Sequence, residues 1–239
     1  LSIVDVEVPS KERNLIVLPH LVENKIDDFV SLVKHQSELI KNGIETSNTL
    51  LLFGKPGVGK TSVARYISES TGLPLVIARF DAIVSSLLGN TAKNIRKIFE
   101  FAENKPCILF LDEFDAIAKA RDDQYELGEL KRVINSLLQN IDVFAKNNIL
   151  IAATNHPEIL DKAIWRRFNL TITFELPNDS QRIVLLKKWM KEYNITEPLD
   201  YETLAKITEG LNGAQIKEIT TAAAKKYFIN KELKTEDVI

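Results

Sequence analysis

Short apolar runs recur at residues 50–53, 75–78, 108–111, 149–153 and 170–174, each bounded by turn or helix signals. Between them, stretches with helical signals predict helices over 60–70, 91–103, 129–140 and 160–165. An earlier helix is predicted over 22–42, with apolar positions at Phe29, Leu32, Val33, Leu39 and Ile40 and a stop at Gly43. Strands alternating with helices predict a parallel sheet covered on both faces, here five strands. The pattern changes after Pro177: helices are expected over 179–193, 200–208 and 212–230, with a further helix start at Lys234 capped by Thr235. The expected organisation is an α/β domain over 1–177 and a small, C-terminally incomplete helical lid over 178–239.

Composition narrows the function classes. Charged residues make up 27% and hydrophobic residues 45%, a globular balance that needs no disulfide staples. Cys107 is the one cysteine, so no internal disulfide forms and a reducing, cytoplasmic setting is expected. The net charge of -2 gives no footprint for a dedicated nucleic-acid binder. No apolar stretch reaches the ~18 residues that span a bilayer. The start at Leu1 and the stop at Ile239 are expected to be cuts in a longer protein.

The candidate chemistry begins at Gly54-Lys55-Pro56-Gly57-Val58-Gly59-Lys60-Thr61, which fits G-x-x-x-x-G-K-[ST] between a predicted strand and a predicted helix. Its glycines let backbone N–H groups turn inward toward phosphate oxygens, and the positive end of the following helix faces the same anion. Lys60 is expected to reach the β and γ phosphates of ATP, Thr61 to place its hydroxyl on Mg²⁺, and Ser62 to complete the cofactor-binding set.

A second signal is Ile108-Leu109-Phe110-Leu111-Asp112-Glu113. A buried strand ending in acids delivers them to the carboxyl edge of the sheet, where open α/β sheets bind ligands. Asp112 is expected to hold Mg²⁺ and Glu113 to orient or deprotonate the attacking water.

Together these motifs resemble the AAA family of remodelling ATPases, and the resemblance extends over about residues 15–235. Ile151-Ala152-Ala153-Thr154-Asn155-His156-Pro157 is similar to the family's sensor strand, which in that fold lies between the phosphate-loop strand and the Asp112 strand. The resemblance implies that Asn155 touches the γ-phosphate or the attacking water. The segment from Leu160 to Asn169 resembles the second homology region, and Arg166 and Arg167 match its arginine fingers, which reach a neighbouring subunit's ATP. The family spaces its two arginines further apart, so either one here fits the role. Fingers acting in trans imply a head-to-tail ring, a hexamer in this family. Asn212-Gly213-Ala214-Gln215-Ile216 resembles the motif by which Gly213 and Ala214 would contact base or ribose. Leu18-Pro19-His20-Leu21-Val22 lies where the family binds adenine. Leu87 falls where protein-threading members carry an aromatic residue in the first pore loop.

The expected activity is Mg²⁺-dependent ATP hydrolysis coupled to conformational work on a protein client. The alternatives are a nucleic-acid-associated motor and a nucleotide-gated scaffold. A GTP switch does not fit, because Asn24-Lys25-Ile26-Asp27, an N-K-x-D string, precedes the phosphate loop, whereas GTP switches carry theirs after it.

Overall fold

A computed structural model describes residues 3–10, 16–44, 46, 48–85, 91–119, 127–145 and 148–238. The chain divides into two compact units.

The first unit comprises Leu1–Asn14, Leu21–Gly54 and Lys60–Thr173. Strands β1 (Val4–Glu7), β2 (Thr49–Gly54), β3 (Leu75–Arg79), β4 (Ile108–Asp112), β5 (Ile149–Thr154) and β6 (Leu170–Phe174) form a sheet in the order β1-β3-β4-β5-β2-β6. The pairs β3–β4, β4–β5 and β2–β5 are parallel. The expected position of the sensor strand, between β2 and β4, is the one β5 occupies. The central strands read as unbroken apolar runs because both of their faces are buried; Leu50, Leu51, Leu109, Leu111, Ile151 and Ala152 have no exposed surface.

The sixth strand goes beyond the five expected. β1 pairs antiparallel with β3 at the sheet edge. Its sequence, Val4-Asp5-Val6-Glu7, alternates with period two, as suits a strand only partly covered. Glu7 closes a two-pronged ion pair with Arg65 at 2.8 and 2.9 Å.

Helices α1 (His20–Lys41), α2 (Lys60–Thr71), α3 (Phe80–Ser85), α4 (Thr91–Glu103), α5 (Ala116–Lys119), α6 (Leu127–Phe144) and α7 (Lys162–Trp165) complete this unit. The predicted helix over 160–165 forms as α7, which begins two residues later, after the Asp161 cap, and follows a short 3-10 turn, Pro157–Ile159. On α1, buried Ile26 and the Asp27 carboxylate, which accepts the Tyr66 hydroxyl at 3.2 Å, give the N-K-x-D string a packing role.

Aromatic rings knit the core beside β4. Phe114 meets Phe80 and Phe168 edge-on, with ring centroids 5.3 and 6.0 Å apart. Because Phe114 is fully buried, it anchors the turn that leaves β4.

The second unit comprises Leu15–His20, Lys55–Gly59 and Phe174–Ile239. Its helices are α8 (Asp179–Glu192), α9 (Tyr201–Ile207) and α10 (Gly213–Asn230). Capping boxes open α8 at Asn178/Gln181 and α10 at Asn212/Gln215. The apolar faces of Leu186, Met190, Leu204 and Ile216 meet in a small core.

Thr235 does not cap a helix. It lies inside a 3-10 turn, Thr235–Val238, and its hydroxyl accepts the Asp200 N–H at 3.0 Å. The Asp237 carboxylate takes the Lys234 N–H at 2.9 Å, so the acid three positions on reaches back to the start of the turn.

No helix among the described residues is long and apolar enough to cross a membrane. Cys107 is buried, its thiol donates to Ala102 O at 3.3 Å, and burial pushes its pKa up to about 11. Alkylation by iodoacetamide near pH 8 should therefore be on the order of a hundredfold slower in the folded protein than in denaturant. Equal rates in the two states would mean that the Cys107 site opens readily.

Candidate active site

The phosphate loop leaves β2 at Gly54 and enters α2 at Lys60. Gly59 has φ +104, a conformation that side chains with a Cβ rarely adopt. Lys60 then turns its side chain under the strand ends. Its Nζ donates to Gly54 O at 2.7 Å and to Asn155 Oδ1 at 2.7 Å. Lys60 is buried, and burial lowers its pKa, while Asp112 and Asp115 pull it back up.

Sheet register explains why these groups meet. Phe53 pairs with Thr154, so Gly54 and Asn155 leave β2 and β5 side by side. Asp112 pairs with Arg79 at the same edge. The Asp112 Oδ2 lies 3.4 Å from the Thr61 hydroxyl, which donates to it, and its Oδ1 accepts the Glu113 N–H at 2.9 Å. Thr61 and Asp112 thus offer two hard oxygen donors, a set that suits Mg²⁺, which keeps several waters and takes one or two protein ligands beside phosphate oxygens.

Glu113 sits at φ +51, in the left-handed region, on the turn from β4 into buried Phe114, whose N–H donates to Ala153 O at 2.9 Å. Strain of this kind at a non-glycine residue persists where the surroundings fix it. Glu113 is exposed, and its carboxylate makes no hydrogen bond or ion pair among the described residues.

Lys60 is therefore joined to Asn155 and its chain neighbour Thr61 to Asp112, with Glu113 on the adjoining turn. Ser62 is exposed on the first turn of α2, and no hydrogen bond joins its side chain to this group. The loop tip, with Pro56, Gly57 and Val58, belongs to the second unit. There Asn212 Nδ2 donates to Pro56 O at 3.1 Å, and the Ala214 N–H donates to Gly57 O at 3.2 Å. Gly57 has φ +75, and a Cβ on it would come within 2.7 Å of the Asn212 side chain. Gly213 packs by the same carbonyl, where a Cβ would lie 3.4 Å from Gly57 O. In this structure, Gly213 and Ala214 touch the loop backbone itself.

Arg166 and Arg167 differ sharply. Arg167 grips the Asp142 carboxylate at 3.0 and 3.1 Å and donates to Ala163 O at 2.9 Å. Arg166 is exposed and makes no side-chain hydrogen bond or ion pair among the described residues. It follows Trp165, whose ring packs edge-on against Phe53 at 5.5 Å, so the base of this turn is anchored. In the adenine segment, Leu18 is half-buried and Leu21 is exposed. Leu87 lies outside the described residues.

Sequence reasoning missed Asp115 and Asp142. Asp115 follows Asp112-Glu113-Phe114, so a third acid at the strand end was the available signal. Asp142 and Arg167 are 25 positions apart, and only the fold brings them together.

Residues 50–176 match the model of the "ATPase family associated with various cellular activities (AAA)". The chain is 39% identical over 229 residues to an uncharacterized AAA family ATPase, y4kL, of Sinorhizobium fredii, covering 96% of this chain and 69% of that protein. It is 37% identical to the proteasome-activating nucleotidase of Methanocaldococcus jannaschii, covering 83% of this chain and 48% of that one. It is also 35% identical to the ribosome biogenesis ATPase RIX7 of Saccharomyces cerevisiae, covering 80% of this chain and 24% of that one. The chain thus spans less than half the length of the last two relatives.

The contrast between the two arginines has a measurable consequence. Arg167→Ala loses a partly exposed ion pair and a bond to a carbonyl, together worth about 1 kcal/mol, and should lower Tm by roughly 2–4 °C. Arg166→Ala should leave Tm within about 1 °C. Equal losses would mean that Arg166 also braces the fold.

Proposed function

The chain belongs to the AAA family of ATPases, and from that premise we propose that it hydrolyses Mg·ATP at the Lys60 site and works as a hexameric ring on a protein client. One observation carries the site assignment. At the ends of β2, β4 and β5, a buried ammonium meets a carboxamide, and the next residue's hydroxyl meets a carboxylate oxygen.

In this reading, the loop amides and Lys60 bind the phosphates. Lys60 exchanges Asn155 Oδ1 for a phosphate oxygen when the nucleotide enters, and the released carboxamide then faces the γ-phosphate. Thr61 and Asp112 would hold Mg²⁺, which when bound offsets phosphate charge. Glu113 orients a water and takes its proton as the water oxygen attacks the γ-phosphorus. The bond from that phosphorus to the bridging oxygen breaks, and ADP leaves with that oxygen.

Arg166 is the arginine we assign to the neighbouring protomer's site. Arg167 already has its guanidinium committed to Asp142 and Ala163, whereas Arg166 stands exposed on an anchored turn. A group supplied in trans requires protomers packed head to tail, which supports a closed ring. Similarity to a proteasome-activating nucleotidase and a ribosome biogenesis ATPase supports work on a macromolecular client. The single buried cysteine accords with a reducing, cytoplasmic setting.

Mixing two inactive variants tests this reading. Glu113→Gln should lower kcat by about 10²–10⁴ in the homogeneous protein. Arg166→Ala should lower it by roughly 10³ or more while Mg·ATP still binds. Co-assembled, the two should recover turnover, because an intact Glu113 in one protomer meets an intact Arg166 from another. No recovery in rings shown to contain both variants would contradict action in trans. Lys60→Ala should abolish nucleotide binding by calorimetry, and unchanged binding would contradict the site itself.

A further inference from the structure

Asp115 lies three residues past Asp112 and is buried more deeply than either Asp112 or Glu113, with 2% of its surface exposed. Its Oδ1 accepts the Thr154 hydroxyl at 2.9 Å and the Asn155 main-chain N–H at 3.2 Å. Its Oδ2 pairs with Lys119 Nζ at 2.6 Å. Thr154 is itself 1% exposed, and its oxygen accepts the His156 N–H at 3.0 Å. One carboxylate therefore fixes the last residue of β5 and the two that follow it, directly or through Thr154.

Burying a charge is costly unless it is paired and hydrogen-bonded, so this arrangement holds only while all three donors stay in place. Burial opposes the charge of Asp115, but Lys119, the Asn155 N–H and the Thr154 hydroxyl together hold its pKa below the usual aspartate value. The clamp is aimed at one side chain. Asn155, gripped through its N–H, is the residue whose carboxamide oxygen accepts Lys60 Nζ at 2.7 Å.

We infer that Asp115 is a positioning residue for ATP hydrolysis: by clamping Thr154 and the Asn155 N–H at the end of β5, it sets where the Asn155 carboxamide stands beside Lys60. The inference rests on the assignment of Asn155 to the phosphate site. Asp115 does not touch the reacting atoms; it acts through Asn155. Displacing a contact group by about 1 Å can cost on the order of a hundredfold in rate. An asparagine at 115 keeps the volume but must turn an NH₂ group either toward the two donors on β5 or toward the Lys119 ammonium.

Steady-state kinetics on the oligomer test this. Asp115→Asn should lower kcat by roughly ten- to a hundredfold and change KM for ATP by less than kcat, since Asp115 stands behind Asn155 and reaches Lys60 only through its charge. Asn155→Ala should lower kcat as well, and the double variant should be no slower than Asn155→Ala alone, because residues that act as a unit do not add. Should Asp115→Asn fail to fold, Thr154→Val removes the same hydroxyl contact from the other side. Thr154→Ser, which keeps that hydroxyl, should recover most of the rate lost in Thr154→Val.

The outcomes separate the two claims. An Asn155→Ala variant with parental kcat would overturn the assignment of Asn155, and the inference with it. A slow Asn155→Ala beside a folded Asp115→Asn at parental kcat would overturn the inference alone. The inference also fails if the two losses multiply, or if Thr154→Val and Thr154→Ser are equally slow.

Discussion

Lys60 carries an ammonium into a place that disfavours charge, and two oxygens, Gly54 O and Asn155 Oδ1, hold it there at 2.7 Å each. Hydrogen bonds from a charged group contribute about 1.5–3 kcal/mol each, but they do so only while both acceptors stay in register. The ammonium therefore depends on β2 and β5 being neighbours. The charges of Asp112 and Asp115 also favour the ammonium, against the cost of burial.

The order of strands puts the other groups within reach. With β5 between β2 and β4, the Lys60 loop and the Asp112 strand flank the strand that ends in Asn155. Phe114 pins the β4 exit into the aromatic core, which fixes the turn where Glu113 takes its left-handed conformation. Asp115 then ties that turn across to β5. The chemistry-bearing side chains stand on short segments whose neighbours in sequence are deeply buried, which is how a loop-built site acquires precise geometry.

Much of this was legible in the sequence. Runs buried on both faces announce central strands by composition alone, and all five expected strands formed. The phosphate loop and the paired acids were legible because their chemistry demands fixed residue types at fixed spacing. The edge strand β1 was harder to read: alternation over Val4-Asp5-Val6-Glu7 suits a half-covered strand, but only pairing with β3 distinguishes it from an extended tail. Thr235 misled because cap chemistry is local, whereas its hydroxyl is taken by Asp200, 35 residues away. The difference between Arg166 and Arg167 could not be read at all, since adjacent identical residues differ only in what the fold places beside them. Asp115 fell between these cases, being visible as a third acid without any local sign that its partners lie on β5.

A crystal structure of the protein soaked with magnesium and a non-hydrolysable ATP analogue tests the central claim most directly. Density for the triphosphate is expected against the amides of residues 57–61, with Lys60 Nζ moved from Asn155 Oδ1 onto a phosphate oxygen and the cation beside Thr61 and Asp112. A nucleotide bound elsewhere, with Lys60 still resting on Gly54 and Asn155, would contradict it.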